Sequence, residues 1–188
     1  MITKKRYSTW CIILMIAAVL VGAVTRDGLA ADPKEQDLIA VLQSDAPKAE
    51  KAITCKRLAI YGSERAVAAL EPLLADKELA SWARIAFEAI PGAASDAALR
   101  NAMGKLNGRL LVGTINSIAV PRDPKAVAPL IGKLGDGDSS VASAAAVALG
   151  HIGGDEAAKA LGKSLGDAPA EVRSAAAQGC ILCAESFL

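Results

Sequence analysis

The 188 residues carry 21 Lys and Arg against 20 Asp and Glu, a formal net charge of +1, with 53% hydrophobic residues and only 3% aromatics. A chain of this length makes one ordinary domain, and its apolar fraction excludes intrinsic disorder. The near-neutral balance excludes the electrostatic footprint of a nucleic-acid binder and gives no attraction to anionic lipid, so neither belongs among the expected partners.

The chain opens with Lys4-Lys5-Arg6, an apolar run from about Trp10 to Val24, and Gly28-Leu29-Ala30. Basic, apolar and small-x-small segments in that order read as a secretory signal, cleaved after Ala30. The expected division is therefore residues 1–30 as signal and residues 31–188 as the mature domain, exported to the periplasm or cell surface. The apolar run falls short of the roughly 20 residues that span a bilayer comfortably. The alternative is an uncleaved inner-membrane anchor on residues 10–24. Cys11 precedes the apolar run, so it does not read as a lipoprotein cysteine. Without residues 1–30 the chain retains 17 basic and 19 acidic residues.

Next come two predicted helices, Asp37 to Ser44 and Pro47 to Tyr61. Four segments then superimpose: residues 63–76, 95–108, 123–136 and 154–167, with Leu74, Leu106, Leu134 and Leu165 at one equivalent position. Each has apolar residues at helical spacing after a polar or proline-containing start. A second helix follows each copy: Leu79 to Ile90, Arg109 to Val120, Val141 to Gly154 and Val172 to Ala184. Asp138-Ser139-Ser140 and Asp167-Ala168-Pro169 supply capping oxygens, the latter with a proline for the first turn. Gly62, Gly92 and Gly153 stand where second helices should end. Alanine, the strongest helix former, supplies much of the apolar content and lets helices approach closely. The expected fold is all-α, about five stacked hairpins. A single Ala-rich hairpin cannot bury its apolar face alone, so neighbours must stack into one continuous core.

Asp136-x-Asp138…Val141…Ala144-Ala145-Ala146…Ala148-Leu149-Gly150-His151-Ile152-Gly153, then Ala157…Ala160-Leu161…Leu165, carries a family likeness, and Val172-Arg173…Ala175-Ala176-Ala177 repeats it. This pattern resembles the short PBS-lyase-type HEAT-like repeats of the HEAT superfamily, here expected in a bacterial exported protein. The resemblance covers roughly residues 35–185. It implies a right-handed α-solenoid whose second helices line a groove that binds another protein or braces an assembly. Some relatives assist attachment of tetrapyrroles.

Cys180-x-x-Cys183 could be a redox pair or a metal half-site. Ala184, where haem attachment needs a histidine, removes that reading. The repeat alignment puts Cys180 at the position of Leu149, Cys183 at that of Ile152 and Cys55 at that of Ala146, all core positions, where cysteine acts as a small hydrophobe. His151 is the sole histidine. It aligns with Ile60, Gly92, Val120 and Leu182, and helical spacing brings it no acid or nucleophile. Gly135-Asp136-Gly137-Asp138 lacks the further spaced oxygens and distal Glu of a calcium loop and reads as a turn. No metal, cofactor or catalytic residue is expected, and the chain is read as no enzyme.

The surface offers more. Trp82 aligns with Val141 and Tyr61 with Ile152, so packing is their default. If Trp82 is partly open beside Arg84 and Glu88, it forms an anchor of the Trp–Arg kind common in binding hot spots. Arg57, Arg84, Arg109 and Arg173 lie on second helices and could line the groove. The expected function is a non-catalytic scaffold of the cell envelope that binds a protein there. The alternative is an accessory factor for a redox or tetrapyrrole-bearing partner that uses Cys180 and Cys183.

Overall fold

A computed structural model describes residues 33–185. The signal or anchor segment and Cys11 lie outside the described residues. Within them the chain forms α1 (Pro33–Gln43), α2 (Lys48–Tyr61), α3 (Val67–Leu70), α4 (Ala80–Ala89), α5 (Ala93–Met103), α6 (Gly108–Ile118), α7 (Val127–Lys133), α8 (Ser139–Ile152), α9 (Asp155–Asp167) and α10 (Ala170–Glu185). These pair as five hairpins, an all-α solenoid with no strand among the described residues.

The second helices α2, α4, α6, α8 and α10 form one layer, each packed on the next, and the first helices cover its inner side. The core repeats in register. Along the first four second helices and their ends the residues at positions i, i+1 and i+4 are buried: Thr54, Cys55 and Leu58; Ala86, Phe87 and Ile90; Thr114, Ile115 and Ile118; Ala145, Ala146 and Leu149. That spacing is one face of a helix with 3.6 residues per turn. In α10 only Ala176 of the corresponding set is fully buried, while Cys180 is half-buried and Ala177 exposed.

Polar ties carry the register from one hairpin to the next. Glu35 on α1 is 2% exposed and accepts from the backbone N–H and the Oγ of Ser63, at 2.5 and 2.9 Å. Glu64 repeats the device, accepting from the Ala94 N–H at 3.0 Å where α5 begins. There its carboxylate occupies the space a Cβ would take at Gly92, whose φ is +133°. Arg100 on α5 forms an ion pair with Asp123, which also caps the Pro124–Ala126 turn through Lys125 N–H. Each tie satisfies backbone donors that a helix start leaves unpaired.

Three local expectations change. The first helices of the second and fourth hairpins are not continuous: 3-10 turns at Glu64–Ala66 and Glu71–Ala75 flank α3, and one at Pro124–Ala126 precedes α7. Pro72, lacking an N–H, cannot extend the α-helical ladder of α3. Gly92 does not end α4. That helix stops at Ala89 before Pro91, which disfavours helical geometry just ahead of it, and Gly92 starts α5 instead. Asp167 is the last residue of α9, not the cap of α10. Asp138 behaves as predicted, accepting from the Ser140 N–H at 2.9 Å.

The tightest crossing joins α8 and α10. A Cβ built on Gly150 would lie 2.6 Å from the Cα and carbonyl oxygen of Gly179, and one on Gly179 would lie 2.5 Å from the Ala146 carbonyl oxygen. Two glycines facing each other let the backbones touch, as small residues do wherever helices approach closely.

Candidate functional site

The outer face of the second helices carries two linked clefts. One, of about 460 Å³, lies between α4 and α6 and is lined by Lys77, Ser81, Arg84, Arg109, Gly113 and Asn116 among others. The next, of about 320 Å³, lies between α6 and α8 and is largely apolar, with Ala119, Val120, Val147 and Ala148 beside His151. Asn116 lines both.

Arg84 is half-buried and its guanidinium lies flat against α6. A Cβ on Gly113 would stand 2.5 Å from its Cζ, so a glycine inside a helix is what seats this arginine. Burial pulls the Arg84 pKa below the ordinary arginine value; the Glu88 carboxylate opposes that shift and the neighbouring Arg109 charge adds to it. Glu88 sits one helical turn from Arg84, but its carboxylate accepts from the Ser117 hydroxyl at 2.6 Å and so ties α4 to α6.

Of the predicted surface residues, the structure thus gathers Arg84, Arg109 and Glu88. Arg57 and Arg173 are exposed on α2 and α10 and line neither cleft. The reason is rotational: in the repeat register Arg57, Arg84, Arg109 and Arg173 occupy four different positions around their helices. Trp82 is half-buried against the core, and the Lys56 ammonium stands 5.6 Å from its ring centroid, covering the face an anchor would offer. Tyr61 is likewise overlaid, by Lys34 at 5.7 Å.

Sequence reasoning missed Lys77, Ser81, Gly113 and Asn116. Gly113 had a legible signal, since it breaks the Ala144 and Ala175 series at one repeat position inside a predicted helix.

The cysteines follow the core reading. Cys55 is fully buried, which pushes its thiol up to about 11. Cys183 is 2% exposed, its Sγ 3.9 Å from the Gly154 carbonyl oxygen. Cys180 is half-buried, and burial followed by the Cys183 charge raises its pKa. Redox-active cysteines need the thiolate stabilised, the reverse of this environment. Among the described residues no group of three or more His, Cys, Asp or Glu is placed to hold a metal ion. His151 is exposed near the end of α8. The leucine rung lines shallow clefts between first helices, Leu74 with Leu106 and Leu134 with Lys163, but Leu165 is exposed.

Residues 96–180 match the family of HEAT repeats. That segment carries HEAT repeats. The match spans the third to fifth hairpins, and the first two share their inward register, Cys55 and Phe87 standing where Ala146 does. HEAT repeats are generally protein-interaction scaffolds and generally non-catalytic. A search of curated proteins finds no match.

Proposed function

We propose that this HEAT-repeat protein is a non-catalytic scaffold that binds another protein along the outer face of its second helices, in the cell envelope. One observation carries the reading. Among the described residues, exposed large apolar side chains fall on or beside second helices: Ile53, Ile60 and Tyr61 on α2, Ile85 on α4, Val120 after α6 and Ile181 on α10. On the first helices there is Leu165 alone. Scattered apolar residues need no explanation, but residues sharing one layer of a solenoid mark the surface a partner covers. Ile53 and Ile85 also occupy the same repeat position on neighbouring helices. The envelope location rests on the composition of residues 1–30.

The test is capture of the partner from an envelope fraction by the intact protein, compared across two variants. Ile53→Glu/Ile85→Glu is expected to abolish capture, and Leu165→Glu to leave it intact. Equal capture by both variants refutes the second-helix face.

A further inference from the structure

We infer that the cleft between α4 and α6 receives an acidic side chain of the partner polypeptide, its carboxylate held between Arg84 and Arg109, with a neighbouring apolar residue of the same extended segment in the adjoining α6–α8 cleft. The inference rests on the scaffold reading above and names what that scaffold recognises.

The cleft is cationic and contains no carboxylate of its own. Arg84, Arg109 and Lys77 line it, with Ser81 and Asn116 as neutral polar groups. Neither guanidinium forms an ion pair or hydrogen bond among the described residues. The acids nearby are engaged elsewhere. Glu88 is turned to Ser117, and Asp76 and Glu78, which flank Lys77 in sequence, both pair with Lys48, at 2.9 and 2.8 Å.

Arg100 supplies the comparison within the same fold. It is half-buried like Arg84, yet its guanidinium is neutralised by Asp123. A half-buried charge is costly unless paired and hydrogen-bonded; the chain meets that need at Arg100, whereas Arg84 has only the field of Glu88, whose carboxylate forms no ion pair or hydrogen bond with it. Arg84 is nonetheless held in place, since Gly113 forms a seat for the guanidinium at the expense of helix propensity. A donor fork fixed in advance and left without an acceptor is the arrangement that binds carboxylate.

The field of α6 adds to this. Lys77, Ser81 and Arg109 lie at the starts of α4 and α6, and no side-chain hydrogen bond from Asn107 caps α6. The α6 N-terminus therefore adds positive potential beside Arg109, whereas at the start of α4 the Asp76 carboxylate accepts from the Glu78 and Leu79 N–H groups. The apolar half of the recognised segment follows from the second cleft, where Val120, Ala119 and Val147 lie on the far side of the shared Asn116. An isolated anion has no use for that apolar extension, whereas an extended chain spans both.

The test uses the intact protein and two fluorescein-labelled peptides of alternating sequence, Glu-Leu and Gln-Leu, read by fluorescence anisotropy at low and raised salt. The Glu-Leu peptide is expected to bind at least about tenfold more tightly than Gln-Leu, with the difference shrinking as salt rises. Arg84→Gln and Arg109→Gln are each expected to remove most of that preference, and Arg173→Gln none of it. Gly113→Ala keeps every charge but evicts the guanidinium from its seat, and is expected to weaken the Glu-Leu peptide selectively while the helix content holds. Equal affinity for the two peptides overturns the inference. So does an Arg173→Gln effect as large as that of Arg84→Gln, which marks diffuse charge attraction. Partner capture that depends on Ile53 and Ile85 while the peptides show no charge preference leaves the scaffold standing and removes the acidic ligand. Failure of both removes both.

Discussion

Gly150→Ala inserts one methyl group where α8 and α10 touch. Its Cβ would lie 2.6 Å from Gly179 Cα and carbonyl oxygen, and 2.9 Å from the Gly179 carbonyl carbon. Ordinary contact begins near 3.4 Å, so the helices must part by roughly 0.8 Å. The blocking atoms are backbone and cannot rotate aside. A gap of that size forfeits about a quarter to a half of the dispersion energy of the contacts it opens, and overpacking of this kind costs about 1–3 kcal/mol. Alanine in place of glycine in a helix returns about 1 kcal/mol. With rigid neighbours the upper part of the range applies, and the net expectation is a loss of about 1–2 kcal/mol, or a Tm about 3–6 °C lower for a domain of this size. Gly162→Ala in α9 is the control: it meets nothing within 4 Å, so only the propensity term acts and stability should rise. The pair is compared by urea and thermal unfolding followed by far-UV circular dichroism, with amide exchange of α10 to locate the loosening. If Gly150→Ala is as stable as Gly162→Ala, the close crossing is not what holds the last hairpin.

The Ser95 hydroxyl is buried and has no hydrogen-bond partner among the described residues, so Ser95→Ala should raise stability by about 1 kcal/mol in the same unfolding assay. Glu35→Ala leaves the half-buried Ser63 N–H without its acceptor and should cost about 1–2 kcal/mol, with exchange protection lost first in α1. Burial pushes the Cys55 thiol up to about 11, from an ordinary value of 9.0. The unfolded chain therefore binds fewer protons through that interval, and stability should fall as pH rises from about 9 to about 11, by up to about 2 kcal/mol. Cys55→Ala should flatten that part of the profile. In native protein near pH 8, alkylation should reach half-buried Cys180 well before Cys55, as read by mass spectrometry.

The hairpin count, the identity of most helices and the core were legible in the sequence, because helical periodicity is local and the repeats duplicate it. Cys55 stands at the register position of Ala146, so aligning the copies alone predicted a buried thiol, and the structure buries it fully. The errors came where a backbone rule cut across periodicity. Pro91 shortened α4, Pro72 broke the helix after Ser63, and Asp167 finished α9 because nothing in its own turn stopped that helix earlier.

The candidate site was legible only in part. Arg84 and Arg109 could be assigned to second helices, but whether they meet depends on the rotation of each helix about its axis and on the spacing of α4 from α6. A spacing of 25 residues along the chain determines neither. Nor could composition show that Glu88 turns to Ser117, that Lys56 covers Trp82, or that Arg84 rests on Gly113. Periodicity by itself determined a stack of alanine-rich helical hairpins and which residues of each face inward. Tertiary packing alone decided which charges are neutralised and which stand open, because that balance is struck between side chains from different hairpins.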